Sequence, residues 1–410
     1  MSESPEGWVE TTLGEVCEVI SGATPKTNMS EYWGGEIPWI TPDDLSKNRS
    51  QFISVGKRSI TTLGFDSCST HMIPAGSVLY TSRAPIGYVA IAGQQLCTNQ
   101  GFKSFVVPER IFNKFLYWYL IWHTPKIRAL GSGTTFKEIS GTVARTISFS
   151  FPSFAEQECI VSVIEEQFSK LDAAENYLNR ANKNVYRMRR AILAETFYDG
   201  SELPKTWVET TLGEVCDVLD SRRIPVNAKS RLEQIGKVPY FGATGQVGWI
   251  NRSLFNEELV LVGEDGAPFL DLYKKKAYIV NGPSWVNNHA HVIRARNMTS
   301  NRFLLHVLNT LDYTPFVNGT TRLKLTQVAL KSIQIPLPPF AEQERIVSVI
   351  EEQFSKLDNI DLAIGNSLRR IEQLRRSILE LAFTGKLVSQ VFDNESASKI
   401  TSRLKKKSKV

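Results

Sequence analysis

AEQECIVSVIEEQFSKLD, residues 155–172, and AEQERIVSVIEEQFSKLD, residues 341–358, decide how this chain of 410 residues is read. Seventeen of the eighteen positions are identical, at an offset of 186. Each copy follows a Pro-containing apolar entry, Phe151-Pro152-Ser153-Phe154 or Leu337-Pro338-Pro339-Phe340. Each opens a long helical pattern. Ile164, Leu171, Leu178, Val185 and Ile192 return every seven residues, as do Ile350, Leu357, Ile364, Ile371 and Ile378. A second row is read three residues on, at Ala174, Ala181 and Met188 and at Ile360, Ser367 and Leu374. Spacing kept over four heptads predicts a coiled-coil seam rather than two separate core helices. The first helix leads through a short linker, 199–205, into more chain, so two helices sharing one seam must run antiparallel.

A second repeat marks the start of each half. WVETTLGEVCEVI at 8–20 returns as WVETTLGEVCDVL at 207–219, eleven of thirteen identical, at an offset of 199. The chain is thus a tandem duplication of a variable globular head followed by a near-constant helix. The heads read as mixed α/β with short strands bounded by Gly and Pro. Ile37–Ile40, Ser77–Tyr80 and Tyr88–Ile91 are matched to Val238–Phe241, Leu259–Val262 and Ala277–Val280. Ala84-Pro85 is matched to Ala267-Pro268, Asn99 to Asn288, and Gly133-Thr134-Thr135 to Gly319-Thr320-Thr321. Short helices are expected near 109–123 and 301–310. The expected fold is α+β: two similar mixed α/β domains joined by two long antiparallel coiled-coil helices, a dumbbell with pseudo-twofold symmetry.

Composition is that of an ordinary globular protein, with 42% hydrophobic and 22% charged residues. The net charge of +6 is unevenly spread. Residues 200–338 carry +4 and the tail 393–410 another +4, while 153–199 and 339–392 are slightly acidic. A nucleic-acid surface would therefore be local. Five cysteines, an odd number without a Cys-x-x-Cys, argue against a disulfide framework or zinc ribbon and suit a reducing cytoplasm. Cys17 and Cys216 occupy equivalent repeat positions and are read as small buried apolar residues. No signal segment or membrane span is read.

Catalytic signatures are sought without success. Gly242 to Gly248 lacks the Gly-Lys-Ser/Thr end of a phosphate loop. Leu337-Pro338-Pro339-Phe340 mimics the Asn-Pro-Pro-Phe tetrad of adenine methyltransferases, but Leu337 has no amide, and helix entry is the better reading. Glu264, Asp265, Asp271 and Lys274 do not have nuclease spacing. His289 and His291 lack a third ligand and are read as structural, with no metal expected. What remains is a set of basic residues in polar loops near aromatics. In the first head these are Lys47, Arg49, Lys57, Arg58, Tyr80, Arg83 and Lys103. In the second they are Arg222, Arg223, Lys229, Arg231, Tyr240, Thr244, Arg252, Lys274, Lys275 and Lys276. Lys and Arg neutralise phosphates, and Arg pairs bidentately with guanine.

With the Pro-x-Phe-Ala-Glu-Gln-Glu-x-Ile entries at 152–160 and 338–346, the Trp-x-x-x-x-Leu-Gly-Glu-Val openings, Gly-Glu-Ile-Pro-Trp-Ile-Thr at 35–41 and Tyr-Phe-Gly-Ala-Thr-Gly at 240–245, nearly the whole chain resembles the specificity subunit of type I restriction-modification systems. The resemblance implies target-recognition domains at 1–152 and 200–338, constant long helices at 153–199 and 339–392, and a basic, disordered tail at 393–410. It implies that each head reads one half of a bipartite, asymmetric site on double-stranded DNA. The helix pair would set the gap; some 45 helical residues span about 65 Å, or roughly 20 base pairs. The helices would also dock two adenine-N6 methyltransferase subunits and, indirectly, ATP-dependent restriction and translocation subunits. S-adenosylmethionine, ATP and magnesium would belong to those partners, leaving this chain non-catalytic and without a cofactor. Docking is expected at the helix starts, around Glu165, Glu166, Glu351 and Glu352. The competing reading is a coiled-coil scaffold whose heads bind proteins.

Overall fold

The computed structural model describes residues 5–133, 137–197 and 204–388. Residues 199–203 of the expected linker 199–205, Thr134 and Thr135, and the basic tail 393–410 lie outside the described residues. The chain divides into two compact units, residues up to Glu175 with those from Arg369 onward, and Asn176–Leu368. Two helices of 44 residues, Phe154–Phe197 and Phe340–Phe383, contribute to both. The first contains neither Gly nor Pro, and the second only Gly365, so propensity and the apolar repeat agree over their whole length.

The repeated openings build the same joint in each unit. Val9–Thr12 pairs antiparallel with Ser148–Phe151, and Val208–Thr211 with Gln334–Leu337, the strands that lead into the long helices. A one-turn helix follows, Leu13–Val16 or Leu212–Val215, closed by a Thr-x-x-Glu capping box at Thr12/Glu15 or Thr211/Glu214. Its second position is glycine in both units, with no room for a side chain in the first and a tight fit in the second. A Cβ on Gly14 would sit 2.5 Å from Arg145 Cβ, and one on Gly213 would sit 3.1 Å from Lys331 Cβ. Cys17 and Cys216 are buried directly behind this turn, as expected.

Each head then forms a main antiparallel sheet. In the first unit its order is Glu18–Ser21, Phe102–Val106, Val78–Thr81, Val89–Ala92, with Phe52–Ile53 added at the edge. In the second it is Cys216–Val218, Ala290–Ala295, Leu259–Gly263, Ala277–Val280. A second sheet, of three strands in one head and four in the other, includes Trp33–Ile40 in the first and Val238–Gly242 in the second. The strand matches read from sequence therefore hold. Two loop matches slip by one residue. Asn99 donates its amide to Ile40 and accepts from Gly101, and the residue that repeats this is Asn287, not Asn288. Ala84, at φ 42°, corresponds to Gly266, at φ 69°, not to Ala267. The amides of Ser82 and Glu264 fix that register through Gly101 and His289.

The head helices, Asn113–Ala129 and Asn301–Thr310, lie over the sheets, the first running six residues beyond expectation. Each is latched to the start of a long helix by one glutamine. Gln157 accepts from the Phe112 amide and donates to the carbonyls of Arg110 and Pro152. Gln343 accepts from the Ser300 amide and donates to those of Met298 and Pro338. Both glutamines are fully buried, so each of these bonds replaces water that is not there. An ion pair follows two turns later, Lys114–Glu165 at 3.0 Å and Arg302–Glu351 at 3.1 Å. The first core joins Trp8, Phe115, Phe149, Ile160 and Ile164 with Leu379 and Phe383; the second joins Phe303, Ile333, Ile346 and Ile350 with Leu193 and Phe197.

Within each unit the two helices run antiparallel, since Phe197 packs with Ile346–Ile350 where Arg189 meets Asp358 and Asp361. The heptad row at Val185, Leu357 and Ile364 is buried, as expected. The second row is not where it was expected. Ala174, Met188, Ile360, Ser367 and Leu374 are exposed, and only Ala181 packs into the seam. The half-buried partners lie four residues after the first row instead: Phe168, Glu175 and Arg189, and Phe354, Asp361, Leu368 and Arg375. A three-four alternation has two phases, and the one with fewer apolar residues is used here. Its polar members are paired. Arg189 bonds Asp358 at 2.7 Å and Asp361 at 2.9 Å in one unit; Arg375 bonds Asp172 and Glu175 in the other. Arg189, Asp358 and Asp361 stand 186 residues from Arg375, Asp172 and Glu175, so the duplication has produced the same clamp twice.

Candidate nucleic-acid interface

The expected contact residues fall into three groups once placed on the fold. Some have no surface to offer. Tyr80 is wholly buried with its hydroxyl against Thr124, and Tyr240 is 1% exposed with its hydroxyl on the Val226 carbonyl. Both sit on strands whose inner face packs the head, so neither can stack on a base. Lys103 and Lys276 are buried too, and burial pulls both ammonium pKa values down. Lys276 donates to the Asp271 carbonyl at 2.6 Å.

A second group reaches the surface, Arg231 half-buried and the others exposed, but is already paired. Lys47 and Lys57 both reach Asp43, at 2.8 and 2.7 Å, and hold its carboxyl down to about 2. Arg58 lies 3.4 Å over the Trp33 ring, Arg231 4.5 Å over Tyr240 and Arg252 5.1 Å over Trp285. Arg222 lies over Phe255 with Glu257 at 3.6 Å, and Lys274 is 3.7 Å from Asp271. Stacked guanidiniums keep their outer edge of donors, the edge that reads guanine or phosphate.

The third group has no ion pair among the described residues: Arg49, Lys229 and Lys275, with Thr244 exposed in the hairpin turn at 242–245. The structure does not gather all of these. Lys274 and Lys275 line a cavity at the long helices with Arg190, Tyr273, His306 and Phe354. Arg231 instead borders a cleft in the second head with Asn227, Val247, Asn287, Asn288 and His289. The carboxamides there were missed by a search for basic residues, although Val286-Asn287-Asn288-His289 advertises them and Asn pairs bidentately with adenine. Trp249, 54% exposed on the same hairpin, was missed as well. It is the aromatic surface that Tyr240 was expected to provide.

Where the main sheets end, the two heads differ in charge at matching places. Arg83 makes an isolated main-chain bridge with Glu138, whose carboxylate lies 3.7 Å from its guanidinium; Asp265 makes the same main-chain bridge with Lys324, whose ammonium goes to Glu264 instead. The second head surrounds this point with further charges. His289 meets Asp265 at 2.5 Å, and Arg322 meets it at 3.0 Å. His291 meets Asp220 at 2.6 Å, Arg223 meets Glu264 at 2.6 Å, and Lys324 meets Glu264 at 3.1 Å. Burial alone would raise the Asp220 carboxyl; the His291 hydrogen bond and charge, the Val292 amide and Arg223 outweigh it and hold it low. One atom each of Asp220, Glu264 and His291 lie within 4.8 Å of one another, a spacing able to hold a cation. Arg223 and Lys324 already supply positive charge there. Each histidine has its own carboxylate, and His291 meets in Asp220 and Glu264 the further ligand atoms that the sequence did not show. Glu264 and Asp265 are both drawn into ion pairs, and nothing aligns them with Asp271 as a nuclease site. Among the described residues no helix is long and apolar enough to cross a membrane.

Comparison with known proteins gives one answer. A family model described as the type I restriction modification DNA specificity domain matches twice, at residues 5–183 and 204–372. The type I restriction enzyme MjaIX specificity subunit of Methanocaldococcus jannaschii is 29% identical over 389 residues, 87% of this chain and 88% of that protein. The StySPI specificity subunit of Salmonella potsdam is 23% identical, across 94% of this chain and 90% of its own. A solved chain from work on complex assembly and conformational transition of the type I restriction-modification system superposes with a TM-score of 0.74, at 22% identity, over 94% of this chain and 100% of that one. The HsdS subunit of Thermoanaerobacter tengcongensis superposes with 0.54, at 21% identity, over 94% and 98%.

Proposed function

The chain belongs to the type I restriction modification DNA specificity domain family, and from that premise we propose that its two heads read the two unlike halves of one bipartite DNA site. The observation that carries the reading is a shared frame with opposed charge. Arg83, 3.7 Å from Glu138, occupies the main-chain bridge position that Asp265, bonded to His289 and Arg322, occupies in the other head, on main sheets whose first four strands share one order. Two like frames with unlike surfaces suit two different half-sites. The helix pair sets the unspecified gap, and the paired arginine clamps are what hold its register.

Two adenine-N6 methyltransferase subunits dock on the repeated helix starts, with ATP-dependent restriction and translocation subunits joined through them. S-adenosylmethionine, ATP and magnesium act on those partners, this chain is non-catalytic, and the assembly works in the cytoplasm, where the DNA is. Glu165 and Glu351 are committed to the head helices. Glu166 and Glu352, exposed and, among the described residues, paired with Lys170 and Lys356 one turn on, are therefore the better docking candidates. The scaffold alternative has no support in the family match.

Methylation mapping of the host genome tests the reading. One asymmetric, two-part motif that vanishes when this chain is deleted is the expected result. Binding of that site by the reconstituted complex should fall steeply with salt. Undirected methylation, or a motif unaffected by the deletion, would refute it.

A further inference from the structure

Two heads with unlike surfaces share one unfilled place. Each has a cavity where its helix meets a long helix, about 400 Å³ in the first head and about 620 Å³ in the second. Matching aromatic rings line them. Trp118 stands four residues after Lys114, and His306 four after Arg302, the cations paired with Glu165 and Glu351. Trp118 packs edge-on against Phe168 at 4.8 Å, and His306 edge-on against Phe354 at 5.7 Å. The two phenylalanines are one repeat offset, 186 residues, apart. Trp118 is 7% exposed and His306 6%. Trp118 Nε1 and His306 Nε2 are nevertheless buried without a hydrogen-bond partner among the described residues. A buried polar group left dry is rare, and here it recurs at the same place in both heads.

A second feature recurs from unrelated stretches of chain. Arg49, just before the edge strand Phe52–Ile53, lines the first cavity, and Lys275, just before the strand Ala277–Val280, lines the second. Both are exposed, and neither has an ion pair among the described residues. The acids lining the same cavities are already held: Glu165 by Lys114, Asp172 by Arg375, and Asp358 and Asp361 by Arg189. Arg190 and Lys274 also line the second cavity, the one stacked over Tyr273 and the other 3.7 Å from Asp271. Each cavity thus pairs an uncommitted cation with a dry ring nitrogen. An indole Nε1–H only donates, and the His306 ring, kept neutral by burial, donates as well with its proton on Nε2. A donor beside a cation suits a carboxylate. A phosphate has similar chemistry, but a stiff duplex keeps its phosphates at the surface, while a protein side chain can enter a cavity to reach a buried ring. Phe168, Asp172, Phe354 and Asp358 belong to the near-identical stretches, so both cavities are built to meet the same visitor.

We propose that the two cavities are matching sockets, each taking one acidic side chain from one of two copies of a single partner protein. The inference rests on the docking of two methyltransferase subunits and names the group that each inserts. The full chain, titrated with the host's methyltransferase subunit and followed by native mass spectrometry, should bind two copies. Arg49→Glu and Lys275→Glu, both at exposed positions, should each weaken one copy by at least about tenfold, and together should weaken both. Trp118→Phe and His306→Phe remove the nitrogen and keep a ring, and each should weaken the same copy as the charge reversal in its own head. A lysine scan of the partner's acids should find one position that restores binding to Arg49→Glu and Lys275→Glu alike. Two copies at full affinity on the doubly reversed chain, equal weakening of both copies by one reversal, no rescue, or rescue of the two reversals by different partner residues would each overturn the proposal. If a ring variant does not fold, the charge reversals and the rescue decide. Reversals that weaken DNA binding by the complex while both copies stay bound would assign the cavities to phosphate and overturn it too. A wild-type chain that takes up no methyltransferase subunit would instead refute the docking function itself.

Discussion

His306 packs edge-on against Phe354 with its ring inside the second head, and burial, helped by Lys275 and Arg302, pushes its pKa down to about 4. An unfolded chain would protonate this ring near 6.5 while the folded chain does not. The unfolded state therefore gains protons first as pH falls, and stability drops between those values by about 1.4 kcal/mol per pH unit. His306→Phe should flatten that part of the pH dependence, as read from urea denaturation at pH 7 and near pH 4.5. An unchanged slope would remove the role assigned to burial. The same reasoning runs the other way for Cys17 and Cys216, whose thiols burial pushes up to about 12. In native buffer they should resist a thiol reagent that labels exposed Cys159 at once, and reaction of all sites at equal rates would contradict their placement. Their burial was readable from the repeat, because two copies of one apolar pattern enclose them. The fate of Tyr80 and Tyr240 was not. A tyrosine alternating on a strand has two faces to choose from, and only the layer packed on the sheet decides which is wet.

The paired helices show what a heptad does and does not reveal. One row, at Val185, Leu357, Ile364 and Ile371, was legible because it is apolar throughout. Its phase was not, because the apolar residues three positions on outnumber those four positions on. The structure turns Met188, Ile360 and Leu374 outward and draws arginine and carboxylates inward. Half-buried ion pairs hold the inner row and leave an apolar stripe outside. Arg189→Ala should destabilise the second unit by about 1–2 kcal/mol, since it strands Asp361 while Asp358 remains largely solvated. Adding Asp361→Leu should recover part of that loss in a double-mutant cycle. Strict additivity of the two changes would mean the clamp contributes nothing as a pair. At the helix starts, Glu165→Lys should lower the melting temperature by opposing Lys114, whereas Glu166→Lys should leave it within a degree or two and weaken methyltransferase capture. Reversed outcomes would move the docking surface.

For the molecule as a whole, the duplication, the order of head and helix, and the family were all legible, because near-identity at a fixed offset needs no knowledge of packing. The sheet register and the loop matches were not; a one-residue slip such as Asn99 to Asn287 leaves no trace in composition. The register of the helix pair also decides how its part in setting the gap is tested. One helical turn added to both helices would break the three-four repeat and swing the clamps out of alignment. A whole heptad, inserted near Leu178 in one helix and Ile364 in the other, preserves both. Seven residues add about 10 Å, so the unspecified gap should lengthen by roughly three base pairs with both half-site sequences unchanged. Methylation mapping would report this directly. Altered bases at a constant gap would sink that role.

The glutamine latch has a wider implication. Among the described residues, the side chains of Gln157 and Gln343 grip amides and carbonyls of the heads rather than side chains. Such a socket is indifferent to the identity of what it seats, provided the main chain follows the same path. Recognition surfaces can then diverge without the mounting having to change in step. Innovation is confined to one side of a fixed plug, and new specificity becomes a matter of replacement rather than redesign.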